Sequence, residues 1–311
     1  MNKKIIRSIV SLTIFFISAC APTPNINPTT TPTATLFSQQ NSTPSPTENS
    51  PVETQTSTLL ANTPTPISWT DHPVIPTISD NAIKIVQHGL TLGNDPHAFS
   101  KIGDGEISTV WFMSAFDLGT QYYDLGNYTS LQESVDYFSG SFGRQSQAAR
   151  SGFNTSRILD PAMADPQVCL SRESPLECEL REHNPSIAII SLGTNQVWEP
   201  DVFSQELRMI VEILIEHGVL PVLSTKGDNL EGDHRINIII SEVALEYDIP
   251  LWNFWGSIQI LPNHGLQADH EHLTWGNNNF SEENLSQYAW TMRNLTALQV
   301  LDEIRRTAIN K

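Results

Sequence analysis

The clearest apolar run of the chain is Ser-Ile-Ala-Ile-Ile-Ser-Leu at 186–192, between Pro185 and Gly193. It is almost wholly apolar and rich in β-branched residues, which is typical of a parallel strand covered on both faces. Three further strands are predicted from shorter apolar runs, at 98–102, 219–223 and 251–254.

Amphipathic stripes lie between these runs. The segment 201–217 has apolar residues at the i, i+4, i+7, i+8 spacing of a helix that packs on a sheet, and Gly218 follows as a stop signal. Strands that alternate with helices predict an α/β fold with a central parallel sheet and right-handed crossovers. Other helices are predicted over 81–92, 128–138, 155–159, 235–247 and 281–307.

The N-terminal part of the chain follows neither pattern. Residues 1–20 combine a basic start, a short apolar core and the ending Ile-Ser-Ala-Cys, which predicts an export signal. The ending resembles a bacterial lipobox, in which Cys20 is lipidated; the alternative is an ordinary secretory signal with an incidental cysteine. Residues 21–69 are rich in Thr, Pro, Ser and Asn and predict a disordered linker. The remainder, 70–311, has the size of one α/β domain.

Charge and cysteine usage limit the partners of the protein. With a formal net charge of −17, the chain is not expected to bind nucleic acid or anionic lipid through its surface. Membrane contact is therefore predicted only through lipidated Cys20, which places the domain outside the cytoplasm, on the bacterial cell membrane. In that compartment Cys169 and Cys178, interpreted as part of a loop, are expected to form a disulfide rather than two free thiols.

Polar residues follow two predicted strands, where open α/β sheets place their ligands. The strand at 98–102 ends in Gly-Asp-Gly, and the strand at 186–192 is followed by Gly-Thr-Asn. The Asn195 side chain could donate to a ligand oxyanion, and the backbone N–H of Gly152 could donate to the same oxygen. Each of these features alone is common in turns.

The Asp-x-x-His sequence at 269–272 carries more chemical information. At this spacing the Asp269 carboxylate can orient the His272 imidazole, which can then act as a general base. His270 and Glu271 also raise the alternative of a metal site. Their spacing does not match a usual metal-ligand pattern, so neither a metal nor another cofactor is predicted.

Together, these stretches resemble the four blocks of the SGNH hydrolases, also called GDSL esterases or lipases, over 80–290. The resemblance implies a three-layer α/β/α, flavodoxin-like fold. It also implies that Gly152 and Asn195 form an oxyanion hole and that Asp269 and His272 complete a catalytic triad. Family substrates are acyl esters, often of acetylated sugars or lipids, so a small-molecule or glycan ester is the expected ligand.

One position departs from the family pattern. The first block of the family reads Gly-Asp-Ser, with the serine as nucleophile, whereas this chain has Gly105, which cannot form an acyl-enzyme. The domain is therefore interpreted as a ligand-binding, catalytically impaired esterase. The alternatives are weak hydrolysis by a water that His272 activates, or replacement by another serine: Ser108, Ser151 or Ser146.

A rival interpretation from another class is a structural or adhesion lipoprotein without a working pocket. The two differ in whether Gly152, Asn195 and His272 converge around Gly105. Glu106, next to the missing nucleophile, is interpreted as a solvated surface carboxylate.

Overall fold

A computed structural model of the chain describes residues 68–309. The predicted signal peptide at 1–20 with its Cys20, the predicted linker up to residue 67 and residues 310–311 lie outside the described residues.

The folded part begins slightly earlier than the sequence indicated. Trp69, which the sequence assigned to the linker, begins a short 3₁₀ turn, Trp69–Asp71. Its ring packs against Trp255, with ring centroids 4.7 Å apart, and against His234 at 5.2 Å. The end of the predicted linker is therefore part of the domain surface.

Four parallel strands form the central sheet in the order β1-β2-β3-β4. Every residue of β2 is buried, and because successive side chains of a strand point to opposite faces, both faces of the sheet are covered. The predicted α/β fold with a central parallel sheet is confirmed. The strands are β1 Asp95–Gly103, β2 Pro185–Ser191, β3 Leu220–Ser224 and β4 Leu251–Trp252.

A single bridge extends the sheet beyond β1. Gly103 donates its N–H to the Ala148 carbonyl at 3.0 Å and accepts from the Arg150 N–H at 3.1 Å. Residues 148–150 precede β2 in the chain but pair with the opposite edge of β1, so the order across the sheet reverses at β1. This is the flavodoxin-like 2-1-3-4-5 order with its second strand reduced to a bridge, and such reversals open a ligand crevice at the strand ends.

Helices cover the two faces of the sheet. Helices α7 and α8 pack on each other and on β3, whereas α1 contacts β2, β3 and the π-helical turn Arg305–Ile309 that continues α11. None of the helices in the described residues combines the length and apolar character that crossing a membrane requires. The helices are α1 Asp80–Leu92, α2 Gly105–Ser108, α3 Ala115–Leu118, α4 Gln132–Tyr137, α5 Thr155–Leu159, α6 Pro175–His183, α7 Pro200–Glu216, α8 Arg235–Glu246, α9 Phe254–Ile258, α10 Glu282–Leu285 and α11 Ala289–Ile304.

The prediction of one long closing helix over 281–307 is wrong. The structure has α10, a break and α11, because the backbone N–H of Ala289 donates to the Thr274 hydroxyl at 2.9 Å and so starts a new helix. The last strand is also shorter than predicted, since the Asn253 side chain accepts from the Gly256 N–H and begins α9 at Phe254.

The stretch 169–178 is not simply a loop. Ser174 and Glu177 form a reciprocal capping box that starts α6 at Pro175, a local signal that the sequence reasoning overlooked. Cys178 therefore lies in the first turns of α6, and it forms a disulfide with Cys169 in the preceding loop.

Replacing both Cys169 and Cys178 with Ser should lower the free energy of unfolding by about 2–3 kcal/mol, because the short cross-link restricts the unfolded chain. Urea unfolding of the oxidised protein and the double variant measures the difference. Reduction of the wild type should reproduce the loss and should leave the double variant unchanged. Equal midpoints for the two oxidised proteins would contradict a stabilising disulfide.

Candidate active site

The site begins at the carboxyl end of β1. Gly103 has φ 151°, and a Cβ there would lie 2.0 Å from the Ser191 carbonyl oxygen, so β1 and β2 approach too closely for a larger residue. Asp104 follows and caps α2, since its Oδ1 accepts the N–H of Glu106 at 3.1 Å. These contacts fix the backbone of the turn into α2.

Gly105 occupies a different environment from Gly103. Its φ lies outside the left-handed region, and the nearest atom to an added Cβ is the Ser151 Oγ at 3.6 Å, an ordinary van der Waals distance. Neither backbone conformation nor space requires glycine at position 105. A serine side chain therefore fits at position 105.

The predicted oxyanion donors lie on two neighbouring loops. Asn195 follows β2, and its Nδ2 donates one hydrogen bond to the Phe153 carbonyl at 3.1 Å, which leaves the second amide hydrogen for a ligand. Gly152 has φ 77° and precedes that same carbonyl. The Asn195–Phe153 bond therefore holds the two donor loops together.

Asp269 and His272 form the predicted pair. Nδ1 of His272 lies 2.8 Å from Oδ2 of Asp269, while Oδ1 of Asp269 accepts the backbone N–H groups of Glu271 and His272. The pKa of Asp269 is lowered to about 2. The largest causes are the hydrogen bonds from the backbone N–H groups of Glu271 and His272, and the hydrogen bond from the His272 imidazole comes next. The hydrogen bond that His272 donates to Asp269 raises the pKa of His272, whose side chain is 65% exposed.

These groups converge on one cavity of about 290 Å³. Gly105, Gly152, Asn195 and His272 all line it, while Asp269 supports His272 from behind. The cavity opens at the carboxyl ends of β1 and β2, where the strand order reverses. The arrangement brings two candidate hydrogen-bond donors and one imidazole to the same cavity. The catalytic roles of these residues stay predictions.

The three serines considered as replacements differ in position. Ser108 lies with its Oγ 3.5 Å from the Gly105 carbonyl, and Ser146 is buried with its Oγ accepting the Ala148 N–H at 3.0 Å. Only Ser151 of the three lines the cavity. Its Oγ has no hydrogen-bond partner among residues 68–309. Of the three serines, Ser151 is thus the one placed nearest to where a side chain on residue 105 would lie.

The interpretation of Glu106 as a solvated surface carboxylate is wrong. Glu106 lines the cavity, its side chain is 26% exposed, and its Oε2 lies 3.7 Å from Nη1 of Arg293. Burial raises the pKa of Glu106, and the Arg293 charge opposes that shift. The pKa of Asp104 is raised to about 7, mainly by burial and secondly by the negative charge of Glu106.

Arg293, on α11, is a buried residue of the site that the sequence reasoning missed. Its side chain is fully buried, its Nη2 donates to the Ser191 hydroxyl at 2.8 Å, and burial lowers its pKa. No short-range sequence signal connects α11 to the end of β1. Its guanidinium carbon lies 4.6 to 5.2 Å from the ring centroids of Phe112, Trp252 and Phe254.

The described residues offer one cluster with metal-ligand chemistry, formed by Cys169, Glu173 and Cys178. Its two sulfur atoms are joined in the disulfide, so they are not available as thiolate ligands.

Comparisons with known proteins identify structural relatives only. No protein-family model and no curated protein sequence matches the chain. Among solved structures it is similar to a psychrotrophic esterase from Pseudoalteromonas sp., with a TM-score of 0.43, 14% identity, and coverage of 68% of this chain and 100% of the esterase. An acetylxylan esterase from Geobacillus stearothermophilus gives a TM-score of 0.42 and 14% identity over 66% of this chain and 93% of that one.

A GDSL-like lipase from Bacteroides thetaiotaomicron is similar with a TM-score of 0.38 and 12% identity, over 72% of this chain and 98% of the lipase. With TM-scores below 0.5, these structures do not indicate the activity of this chain, which is inferred below from its own cavity.

The hydrogen bond to Asp269 should keep His272 protonated to a higher pH than an ordinary histidine. Asp269→Asn should therefore lower the pKa of His272, because the variant removes the negative partner and keeps the side-chain shape. An NMR titration of the His272 ring signals measures both values. An unchanged titration in Asp269→Asn would contradict the pairing.

Proposed function

We propose that the domain is an SGNH-type, acyl-ester-recognising domain whose hydrolase site is catalytically impaired. The observation that carries the proposal is that Gly105, Gly152, Asn195 and His272 line one cavity. A structural or adhesion role without a working pocket would not require these four residues to meet.

The proposed chemistry follows from the groups that the cavity presents. The Asn195 amide and the Gly152 N–H would bind the carbonyl oxygen of an ester and stabilise the charge that develops there. His272, oriented by Asp269, would accept a proton from an attacking hydroxyl. Gly105 supplies no such hydroxyl, and loss of the nucleophile from a serine triad costs on the order of 10⁶ in kcat.

A second candidate is a working carboxylic-ester hydrolase that uses Ser151 or a water. Ser151 favours this alternative, because its Oγ lies 3.6 Å from the position of a Cβ on residue 105 and lines the cavity with His272. His272 would then activate either the Ser151 hydroxyl or a water held beside Gly105.

We further propose that the protein is exported and anchored at the cell membrane through lipidated Cys20, with 21–69 as a tether and no nucleic-acid partner. The support is the sequence alone: the signal-like start, the cysteine at its end and the acidic charge of −17.

Cys20→Ala should move the protein from the membrane fraction to the soluble extracytoplasmic fraction, because the variant removes the site of lipidation. Cell fractionation with an antibody against the domain measures the distribution. The double variant Cys169→Ser/Cys178→Ser is the control and should remain in the membrane fraction. Membrane retention of Cys20→Ala would contradict the anchor.

Gly105→Ser should create or raise esterase activity, because it restores a hydroxyl in a cavity that retains its other groups. We expect at least a roughly 100-fold rise in kcat/KM on p-nitrophenyl acetate, a small part of what a complete triad supplies. Two controls separate the hydroxyl from other effects: Gly105→Ala adds only the Cβ, and Gly105→Ser/His272→Ala removes the base. Both should remain near the wild-type rate.

The same assay distinguishes the second candidate. Wild-type hydrolysis that disappears in Ser151→Ala would assign the nucleophile to Ser151 and overturn the impairment. Absence of activity in both the wild type and Gly105→Ser would contradict the ester-binding site and favour the structural role.

A further inference from the structure

A second groove, of about 720 Å³, adjoins the active-site cavity. Trp111 and Trp275 line both spaces, so the two are adjacent. The groove lies between the aromatic-rich segment 110–122 and the loop that follows His272. Its volume is within the range of small-ligand sites.

Exposed aromatic rings form the walls of this groove. Trp111, Trp275, Tyr122 and Tyr288 all line it, and they are between 38% and 55% exposed. The rings of Trp111 and Trp275 stand edge to face, with centroids 4.0 Å apart. Such rings bury apolar faces of a ligand at a low cost in conformational entropy, because each has only two side-chain torsions.

Side-chain amides form the polar part of the same groove. Asn277, Asn278 and Asn284 line it. Within the described part of the chain, the amide nitrogens of Asn277 and Asn278 donate to no protein acceptor. Each amide can therefore offer hydrogen bonds to hydroxyl groups of a ligand.

The loop that carries these amides is held in place by the rest of the fold. The Asn278 carbonyl accepts from the Asp124 N–H at 2.8 Å, and its Oδ1 accepts from Asn294 Nδ2 at 2.7 Å. The Asn277 carbonyl accepts from the Thr291 hydroxyl at 2.8 Å. A site held this way loses little entropy when a ligand binds.

The charges of the two spaces select the class of ligand. Every residue lining the groove is uncharged, although the chain carries a net charge of −17. The adjoining cavity presents Glu106 and Glu271, which would repel phosphate or carboxylate groups. A neutral ligand with apolar faces and many hydroxyl groups fits this combination best.

We propose that the groove binds a neutral glycan chain, with sugar rings stacked on the aromatic side chains and hydroxyl groups bonded to the asparagine amides. Under the proposed function, on which this part of the inference rests, the glycan carries the acyl ester that enters the cavity at Gly105. The shared rings of Trp111 and Trp275 would then orient the sugar that bears the ester.

Calorimetric titration of the full wild-type chain with cellotetraose, xylotetraose and chitotetraose tests glycan binding without any hydrolysis. At least one of the three should bind, and Trp275→Ala and Tyr288→Ala should each weaken that binding by about tenfold or more. Trp198→Ala is the matched control, because Trp198 is 80% exposed and lines neither space. Circular dichroism checks that each variant is folded.

Two binding results would overturn the glycan site, and one kinetic result would do the same. One is no heat of binding from any of the three oligosaccharides at about 10 mM. The other is equal binding by the wild type, Trp275→Ala and Tyr288→Ala. If the groove instead binds acyl chains, the activity of Gly105→Ser should be higher on p-nitrophenyl laurate than on p-nitrophenyl acetate. Tyr288→Ala should then lower the activity on the laurate ester. This result would contradict the glycan site.

The failure of this inference is distinguishable from failure of the proposed function. Glycan binding without esterase activity in Gly105→Ser would retain the groove and reject the ester site. Activity of Gly105→Ser on p-nitrophenyl acetate without glycan binding would retain the ester site and reject the groove. If both hold, Tyr288→Ala should raise the KM of Gly105→Ser for an acetylated xylo-oligosaccharide more than its KM for p-nitrophenyl acetate, whereas Trp198→Ala should leave both KM values unchanged.

Discussion

The structure beneath the site depends on one buried cation, the guanidinium of Arg293. It is fully buried, and among the described residues its Nε and Nη1 have no hydrogen-bond partner. A buried charge of this kind is costly unless an opposite charge or a polarisable surface compensates it. Here the compensation comes from Glu106 at 3.7 Å, the Ser191 hydroxyl and three aromatic rings. The cation thereby joins α11, the end of β2 and the start of α2.

This arrangement explains how the turn at residue 105 keeps its shape although Gly105 contributes no side-chain contact. Glu106 compensates Arg293, and Asp104 caps the first turn of α2, so the backbone on both sides of residue 105 is fixed by other groups. Burying Asp104 beside Glu106 has an electrostatic cost, visible in its pKa of about 7. The frame of the site is therefore maintained by charge and burial rather than by the side chain at position 105.

The parts that the sequence predicts well are those with local causes. The buried run of β2 and the Asp269–His272 pair, three residues apart, depend on near neighbours, so pattern and spacing are sufficient. Glu106 could not be placed correctly, since its partner Arg293 lies on the last long helix and the pair exists only after folding. The division between α10 and α11 has a similar origin in the contact with Thr274. By contrast, α6 was predictable, because its capping box is local.

Gly105 has a consequence for how the activity of this domain can change over evolution. Glycine codons of the GGT and GGC type differ from serine codons of the AGT and AGC type by one base. Because a Cβ at this position meets nothing closer than 3.6 Å, that base change encounters no steric barrier in the folded protein. Under the proposed function, a domain that binds an ester and an enzyme that cleaves it would be separated in this fold by a single mutational step, open in both directions.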